Sequence, residues 1–202
     1  MSASPAPSLP TRIDGDPDRV ALVVPGVGYS PARPLLHFAS SVLARHGWTV
    51  QELWWRIPEA FAEFTTEQRI AWVERQVGAA VDAEGGACRL LVGKSLGSLA
   101  AGLAADRALP AAWLTPVLTL DHVAHALGRA TAPTLLIGGS ADRLWDRSVA
   151  DATGHQVLEL PAADHGLELP DDPTGSIDLL RTAVARLDTF IGGLPPGGGT
   201  AA

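Results

Sequence analysis

Short apolar runs alternate along this chain with longer segments whose apolar residues recur at helical spacing. Each run is rich in Val, Leu, Ile or Trp, which is typical of strands that are buried on both faces. Strands that alternate with helices in this way predict a mostly parallel sheet covered by helices, a three-layer α/β sandwich. The predicted strands are Val20 to Val24, Thr49 to Trp55, Arg89 to Val92, Ala111 to Leu114, Thr134 to Ile137 and Gln156 to Leu160.

Four of the intervening segments have the pattern of helices. The first carries a continuous apolar stripe, and the second begins near Thr65, which has capping-box spacing with Gln68. The third, Leu96 to Ala105, is apolar nearly all round and should be enclosed on several sides. The fourth, Ile177 to Ile191, follows Ser176, a residue type that caps helices. The stripe of the first helix is Leu35, Phe38, Ala39, Val42 and Leu43, and that of the last is Ile177, Leu180, Val184, Leu187 and Ile191.

The composition of the two ends differs from that of the middle. Ser, Ala and Pro dominate the first residues, and Pro, Gly and Ala dominate the last, which leaves little to bury. We therefore expect a flexible tail over residues 1–18, one folded domain over residues 19–192 and a flexible tail over residues 193–202. A chain of 202 residues is long enough for one well-cored domain and short for two.

The charge and cysteine content narrow the classes of partner and compartment. A formal net charge of -7 offers no basic surface, which argues against nucleic acid and membrane lipids as partners. The single cysteine, Cys88, has no partner for an internal disulfide. No apolar stretch approaches the length of a membrane span, and residues 1–10 lack the pattern of a signal peptide. We therefore expect a cytoplasmic protein; the sequence does not predict its oligomeric state.

Residues 93–97, Gly-Lys-Ser-Leu-Gly, fit two motifs that imply different chemistry. A phosphate-binding P-loop requires a glycine five positions before Gly93, followed by a flexible cradle. That position is Cys88, and a strand-like apolar run follows it, which argues against a nucleotide site. The other motif is a nucleophile elbow, a tight turn from strand to helix with small residues on both sides of the nucleophile. Gly93 and Gly97 supply those small residues, so the pattern favours Ser95 as a nucleophile.

Two further residues follow strand ends in the order that such an elbow requires. Asp142 comes after the strand that ends at Ile137, and His165 comes after the strand that ends at Leu160. The carboxyl ends of parallel strands share one edge of a sheet, so both residues can meet Ser95 there. A serine nucleophile needs a base, and the base needs an anion that fixes its tautomer; His165 and Asp142 are assigned these roles. The competing carboxylates are Asp121, Asp146 and Asp164, and the other histidines are His37, His46, His122, His125 and His155.

Acyl transfer at Ser95 would also need backbone donors for an oxyanion. We expect one from the N–H of Leu96, after the nucleophile, and the other from the N–H of Val27 in the loop after the first strand. Gly26 and Gly28 would let this loop approach a substrate closely. The loop lacks the third glycine of a dinucleotide fingerprint, because Pro31 stands there, and we expect no cofactor.

The elbow and the segment Ala-Asp-His-Gly-Leu-Glu around His165 resemble the α/β-hydrolase superfamily, and the resemblance extends over nearly all of Arg19 to Ile191. Within the superfamily, the small size, the elbow and this segment resemble a compact group related to dienelactone hydrolases and testis-expressed hydrolase-like proteins. The resemblance implies six strands in the order 4-3-5-6-7-8 in superfamily labels, with the first two strands absent. Dienelactone hydrolases carry a cysteine nucleophile where this chain has Ser95, so their lactone substrate is not implied.

The segment where many hydrolases insert a cap domain, Thr115 to Pro133, is short here and has room for one helix. Without a cap, substrate selection should fall to loop residues. We expect Gly26, Gly28, Tyr29 and Trp145 to bind the substrate, and Trp54 and Trp55 are further candidates.

Two functions remain open on the sequence. The first is a serine hydrolase that cleaves a small-molecule carboxylic ester or thioester through an acyl-enzyme on Ser95. The second is a non-catalytic hydrolase-like interaction module with a vestigial triad. We expect no metal, because His122 and His125 lack a third ligand. Lys94, the only lysine of the chain, is expected to be exposed to solvent, with pairing to a nearby carboxylate as the alternative.

Overall fold

A seven-stranded sheet with helices on both faces forms the centre of the structure, a computed structural model that describes residues 12–195. The strands are β1 (Arg12–Ile13), β2 (Asp16–Val24), β3 (Trp48–Glu52), β4 (Cys88–Lys94), β5 (Ala111–Leu114), β6 (Thr134–Gly139) and β7 (Gln156–Leu160). The helices are α1 (Pro34–Arg45), α2 (Thr66–Ala83), α3 (Ala101–Asp106), α4 (Asp121–Arg129), α5 (Arg147–Ala152) and α6 (Pro173–Gly192). Two 3₁₀ segments, Glu59–Glu63 and Ser95–Ala100, accompany them.

The strands lie in the order β1-β3-β2-β4-β5-β6-β7, and every neighbouring pair is parallel except β1 and β3. The α/β class and the order of the six parallel strands are therefore confirmed. The chain leaves β2 for β3 on one side and returns to β4 on the other, so the strand order reverses between β2 and β4. Loops that follow such a reversal diverge and leave a crevice at the carboxyl edge of the sheet.

The sheet begins earlier in the chain than expected. β1 pairs antiparallel with β3 at the sheet edge, and β2 already begins at Asp16, so residues 12–18 do not form the tail predicted for residues 1–18. The guanidinium of Arg12 donates to Glu84 at 2.9 Å and to Gln51 at 3.2 Å. Such polar pairing leaves no apolar pattern in the sequence. Residues 1–11 of this predicted tail, and residues 196–202 of the other, lie outside the described residues.

Apolar side chains form one layer on each face of the sheet. α1 and α6 cover one face, and α2 to α5 cover the other. Two residues of the predicted stripes lie outside these layers, because Phe38 is 43% exposed and Ile177 is 66% exposed. α6 begins at Pro173, since the N–H of Gly175 donates to Asp172 Oδ1 at 2.8 Å, so the prediction of Ser176 as the cap is wrong.

The predicted ends of helices and strands agree with the structure at some positions and differ at others. The capping box is confirmed: the N–H of Gln68 donates to Thr65 Oγ1, and Gln68 Oε1 accepts from the N–H of Thr65. β3 ends at Glu52, which leaves Trp54 and Trp55 in a loop instead of the predicted strand. The helix predicted from Leu96 starts as a 3₁₀ segment and becomes α-helical only at Ala101. Within residues 12–195, no helix is long and apolar enough to cross a membrane.

Candidate active site

The turn from β4 into the 3₁₀ segment holds Ser95 in an unusual backbone conformation. Its φ angle is 50°, in the left-handed region that a residue with a side chain adopts only at a cost. A Cβ on Gly93 would lie 2.5 Å from the Trp113 ring, and one on Gly97 would lie 2.9 Å from the Val24 carbonyl oxygen. Both positions therefore require glycine, as the nucleophile-elbow pattern predicts.

Ser95, His165 and Asp142 form one hydrogen-bonded chain at the carboxyl edge of the sheet. Ser95 Oγ lies 2.7 Å from His165 Nε2, and His165 Nδ1 lies 2.7 Å from Asp142 Oδ2. Asp142 Oδ1 accepts from the N–H of Leu144 at 2.9 Å. The Asp142 side chain is only 1% exposed, whereas that of His165 is 36% exposed. With a proton on Nδ1 shared with the carboxylate, Nε2 is free to accept the proton of the serine hydroxyl.

The loops that carry Asp142 and His165 are bonded to each other; we call residues 139–145 and 160–166 together the Asp–His unit. The N–H of Ser140 donates to the Leu160 carbonyl, and that of Ala141 donates to the Ala163 carbonyl, both at 3.0 Å. The N–H of Ala162 donates to Ser140 Oγ at 2.8 Å. These bonds fix Asp142 and His165 relative to one another independently of Ser95.

The competing residues have other partners. Asp146 caps α5 by accepting from the N–H groups of Ser148 and Val149. Asp164 Oδ1 accepts from the N–H groups of Gly166 and Glu168 and so shapes the loop beside His165. Asp121 lies in the first turn of α4. Among the histidines, His46 pairs with Asp188, His155 lies 2.9 Å from the Leu127 carbonyl, and His122 lies 3.6 Å from Glu74.

The loop after β2 lies directly beside Ser95. The N–H of Gly26 donates to the Tyr29 carbonyl at 3.2 Å, and Gly28, with φ 63°, closes the turn. A Cβ on Gly26 would lie 3.3 Å from the Cβ of Ser95, a tight contact, so glycine at this position favours the close approach of the loop to Ser95. Leu96 is in the first turn of the 3₁₀ segment, where N–H groups have no carbonyl partner within their own helix.

Two cavities of about 380 Å³ each lie on either side of Tyr29. The first lies between residues 25–31 and residues 53–57, and its described lining carries no charged side chain. Its Trp54 is held by an N–H donated to Glu52 Oε2 at 3.2 Å, while Ser40 donates to Oε1 of the same carboxylate. The second includes Leu35, Leu167, Leu169, Leu180 and Glu168.

Trp145, expected to bind substrate, lines neither of these cavities. It is buried against Gly138 of β6, where an added Cβ would lie 2.0 Å from its ring. Its indole N–H donates to Glu159 Oε2 at 2.7 Å, and its main-chain N–H donates to the Asp142 carbonyl at 3.2 Å. Trp145 therefore supports the turn that carries Asp142 from within the core.

Lys94, next to Ser95, also lies elsewhere than the sequence predicted. Its side chain is buried, with 2% exposed, so the expectation of solvent exposure is wrong. Nζ donates to Thr115 Oγ1 and to the His165 carbonyl, each at 3.0 Å, and lies 4.6 Å from the centre of the Tyr29 ring. Burial lowers the pKa of Lys94 to about 8, although attraction to Asp142, Asp164 and Glu168 opposes the shift.

No protein-family model matches the sequence, and no curated protein matches it in a sequence search. Solved structures do match. An α/β serine hydrolase homologue from Coxiella burnetii is similar with a TM-score of 0.63 at 15% identity, over 84% of this chain and 85% of the other. The chain has the α/β-hydrolase fold. Residues 115–133, where a cap domain would be inserted in this fold, contain α4 alone.

Two further structures share this α/β-hydrolase fold. One is a serine hydrolase without a lid from Xanthomonas campestris, with a TM-score of 0.62 at 17% identity, over 93% of this chain and 88% of the other. The second is Est1E from Butyrivibrio proteoclasticus with ferulic acid bound, with a TM-score of 0.65 at 12% identity, over 89% and 92%. TM-scores of 0.62 to 0.65 at these identities show a shared fold, and a shared fold does not by itself imply a shared reaction.

Proposed function

We propose that this protein is a serine hydrolase that cleaves a carboxylic ester or thioester through an acyl-enzyme on Ser95. The observation that supports the proposal is the continuous chain of two 2.7 Å hydrogen bonds from Ser95 through His165 to Asp142. A serine outside such a chain is a weak nucleophile at neutral pH, and a base within hydrogen-bond distance makes it reactive.

In the first step, Ser95 Oγ bonds to the carbonyl carbon of the substrate while its proton passes to His165 Nε2. The carbonyl electron pair moves to oxygen and gives a tetrahedral oxyanion. When that intermediate collapses, the bond to the leaving alcohol or thiol breaks and the leaving group takes the proton from Nε2. Water then attacks the acyl-enzyme with the same base and releases the carboxylic acid and free Ser95.

Asp142 orients the ring of His165 and stabilises its positive charge during both steps. The backbone N–H groups of Leu96 and Val27 stabilise the oxyanion, since both belong to segments that flank Ser95. The proximity of Gly26 to Ser95 supports this role for the loop after β2, because Val27 is the next residue along it.

The uncharged cavity beside Gly26 receives one side of the ester. Gly26, Gly28 and Tyr29 contribute to its lining, and Trp54 gives it a flat apolar wall fixed by Glu52. Aromatic walls favour flat apolar groups, so we propose that aryl-containing esters bind better than small acetyl esters. The ferulic acid bound to Est1E, a protein of the same fold, is consistent with this preference. A cytoplasmic location and a small-molecule substrate remain predictions.

A fluorophosphonate probe tests the nucleophile, because it reacts covalently with activated serines. We expect one label on the wild-type protein, at Ser95, and none on Ser95→Ala. Ser41→Ala is the matched control, since Ser41 donates to the His37 carbonyl on the exposed side of α1. Equal labelling of Ser95→Ala would refute the assignment. A folded wild-type protein without label, and without turnover across a panel of esters and thioesters, would favour the non-catalytic interaction module.

The same panel tests the cavity. Trp54→Ala should raise KM for naphthyl and phenyl-acyl esters at least about fivefold and leave acetyl esters nearly unchanged, because only the larger groups contact this wall. Phe38→Ala removes an exposed aromatic ring from α1 and serves as the control. Equal changes in KM for all esters would contradict the assignment of this cavity to the substrate.

A further inference from the structure

The ammonium group of Lys94 is buried in the site next to the proposed nucleophile. Removing a charged group from water is unfavourable unless each of its donors finds a partner. A methionine has nearly the same length and would fill this space without that cost. The presence of a buried cation therefore calls for a reason other than packing.

The ammonium has three partners from three separate segments, two oxygen atoms that accept hydrogen bonds and the ring of Tyr29. Thr115 follows β5, His165 belongs to the Asp–His unit, and Tyr29 belongs to the loop after β2. Lys94 itself is bonded through the main chain to Ser95. A single side chain thus connects the elbow to the base, to the loop beside the oxyanion site and to the neighbouring strand.

We propose that Lys94 is a positioning residue that holds the main chain of His165 at a fixed distance from Ser95; the inference rests on the proposed hydrolase function. Asp142 fixes the rotation of the imidazole ring through Nδ1, but a ring can be well oriented and still lie too far from its serine. The bond from Lys94 Nζ to the His165 carbonyl controls the distance between the His165 ring and Ser95. The order of neighbours along the chain makes the control direct, because Lys94 and Ser95 share a peptide bond.

A positioning role and a merely structural role predict different kinetics. Displacement of the base by a fraction of an ångström slows the attack of Ser95. The cavities that bind substrate stay in place, because the hydroxyl of Tyr29 accepts from the N–H of Leu35 at 3.1 Å and so holds this residue without Lys94. Misplacement of this size reduces rates by about 10- to 100-fold. A general loss of structure would instead weaken binding and lower the fraction of folded protein.

The test compares Lys94→Met with wild type and with Arg89→Met, which removes an exposed cation from the same strand. The rate of fluorophosphonate labelling at saturation measures attack by Ser95, and the concentration at half-saturation measures binding. For Lys94→Met we expect a labelling rate about 10- to 100-fold lower at an unchanged half-saturating concentration. Arg89→Met should behave as wild type.

Proton NMR gives a readout that does not depend on activity. The proton between His165 Nδ1 and Asp142 should resonate far downfield in the wild type, and this signal should shift or broaden in Lys94→Met. Thr115→Val, which removes the other oxygen partner of Nζ, should produce a smaller change of the same kind and serves if Lys94→Met does not fold.

The two proposals fail in different ways. Absence of labelling in the wild type contradicts the hydrolase function, and the NMR signal then decides the positioning role. Labelled wild type together with full-rate labelling of folded Lys94→Met, or an unchanged His165 signal in the variants, overturns the role of Lys94.

Discussion

Replacing Lys94 with methionine should change how the stability of the protein depends on pH. The pKa of Lys94 is about 8 in the folded protein against 10.5 for an ordinary lysine. Between these values the unfolded chain holds the proton and the folded protein has released it, so the free energy of unfolding rises as pH increases. A shift of this size corresponds to about 3 kcal/mol in total, of which about 2.5 kcal/mol appears between pH 7 and pH 10. Lys94→Met has no ammonium at this position, so its free energy of unfolding lacks this rise with pH.

Urea denaturation near pH 7, 8, 9 and 10 measures the free energy of unfolding of both proteins. At each pH, the value for Lys94→Met is subtracted from the value for the wild type. Groups that are common to both proteins and do not contact Lys94, such as Cys88, then cancel. We expect the difference to move in favour of the wild type by about 2.5 kcal/mol over this range. Arg89→Met provides the control and should show a difference that is constant with pH. A constant difference for Lys94→Met as well would mean that the ammonium is not desolvated, and the burial argument would be refuted.

Three further predictions concern the elbow, the acid and the cysteine. Gly97→Ala should destabilise the protein by about 1–3 kcal/mol in urea denaturation, because its Cβ would meet the Val24 carbonyl oxygen. Gly128→Ala is the control: the space around the added Cβ is open, so the same measurement should show that it stabilises α4 by about 0.5–1 kcal/mol. Asp142→Asn should lower kcat at least about 10³-fold with little change in KM, since the amide favours the wrong tautomer of His165; a normal kcat would remove Asp142 from the mechanism. Burial raises the pKa of the Cys88 thiol to about 11, so iodoacetamide near pH 8 should alkylate only the urea-unfolded protein, as mass spectrometry would show.

The parts of the fold that are encoded locally could be predicted from the sequence. Apolar runs predicted six strands, and Thr65 and Gln68 form the predicted capping box. The order of the strands in the sheet was implied by the resemblance to the α/β-hydrolases, and it matches the observed order. The positions of Ser95, Asp142 and His165 after strand ends sufficed to predict that the three side chains meet, because parallel strands end at one edge of the sheet. The strand positions and the capping box depended on residue type and spacing alone.

The features that escaped prediction depend on contacts between distant segments. Trp145 was expected to bind substrate, but its ring packs in the core, in the space that a side chain at Gly138 would fill. The burial of Lys94 requires Thr115 and the His165 carbonyl to meet it, and neither is visible in a local pattern. β1 is held by polar pairing of Arg12, which hydrophobic periodicity cannot reveal.

The bonds within the Asp–His unit reduce the number of separate parts that must come together at the site. If Asp142 and His165 move as one rigid body, only the placement of that body relative to the elbow remains to be fixed. β4 leads into Ser95 and β6 leads into Asp142, with β5 between them, so the backbone hydrogen bonds of the sheet hold these two strands about 10 Å apart. The elbow also depends on β5, because the buried Trp113 ring occupies the space that a side chain at Gly93 would need.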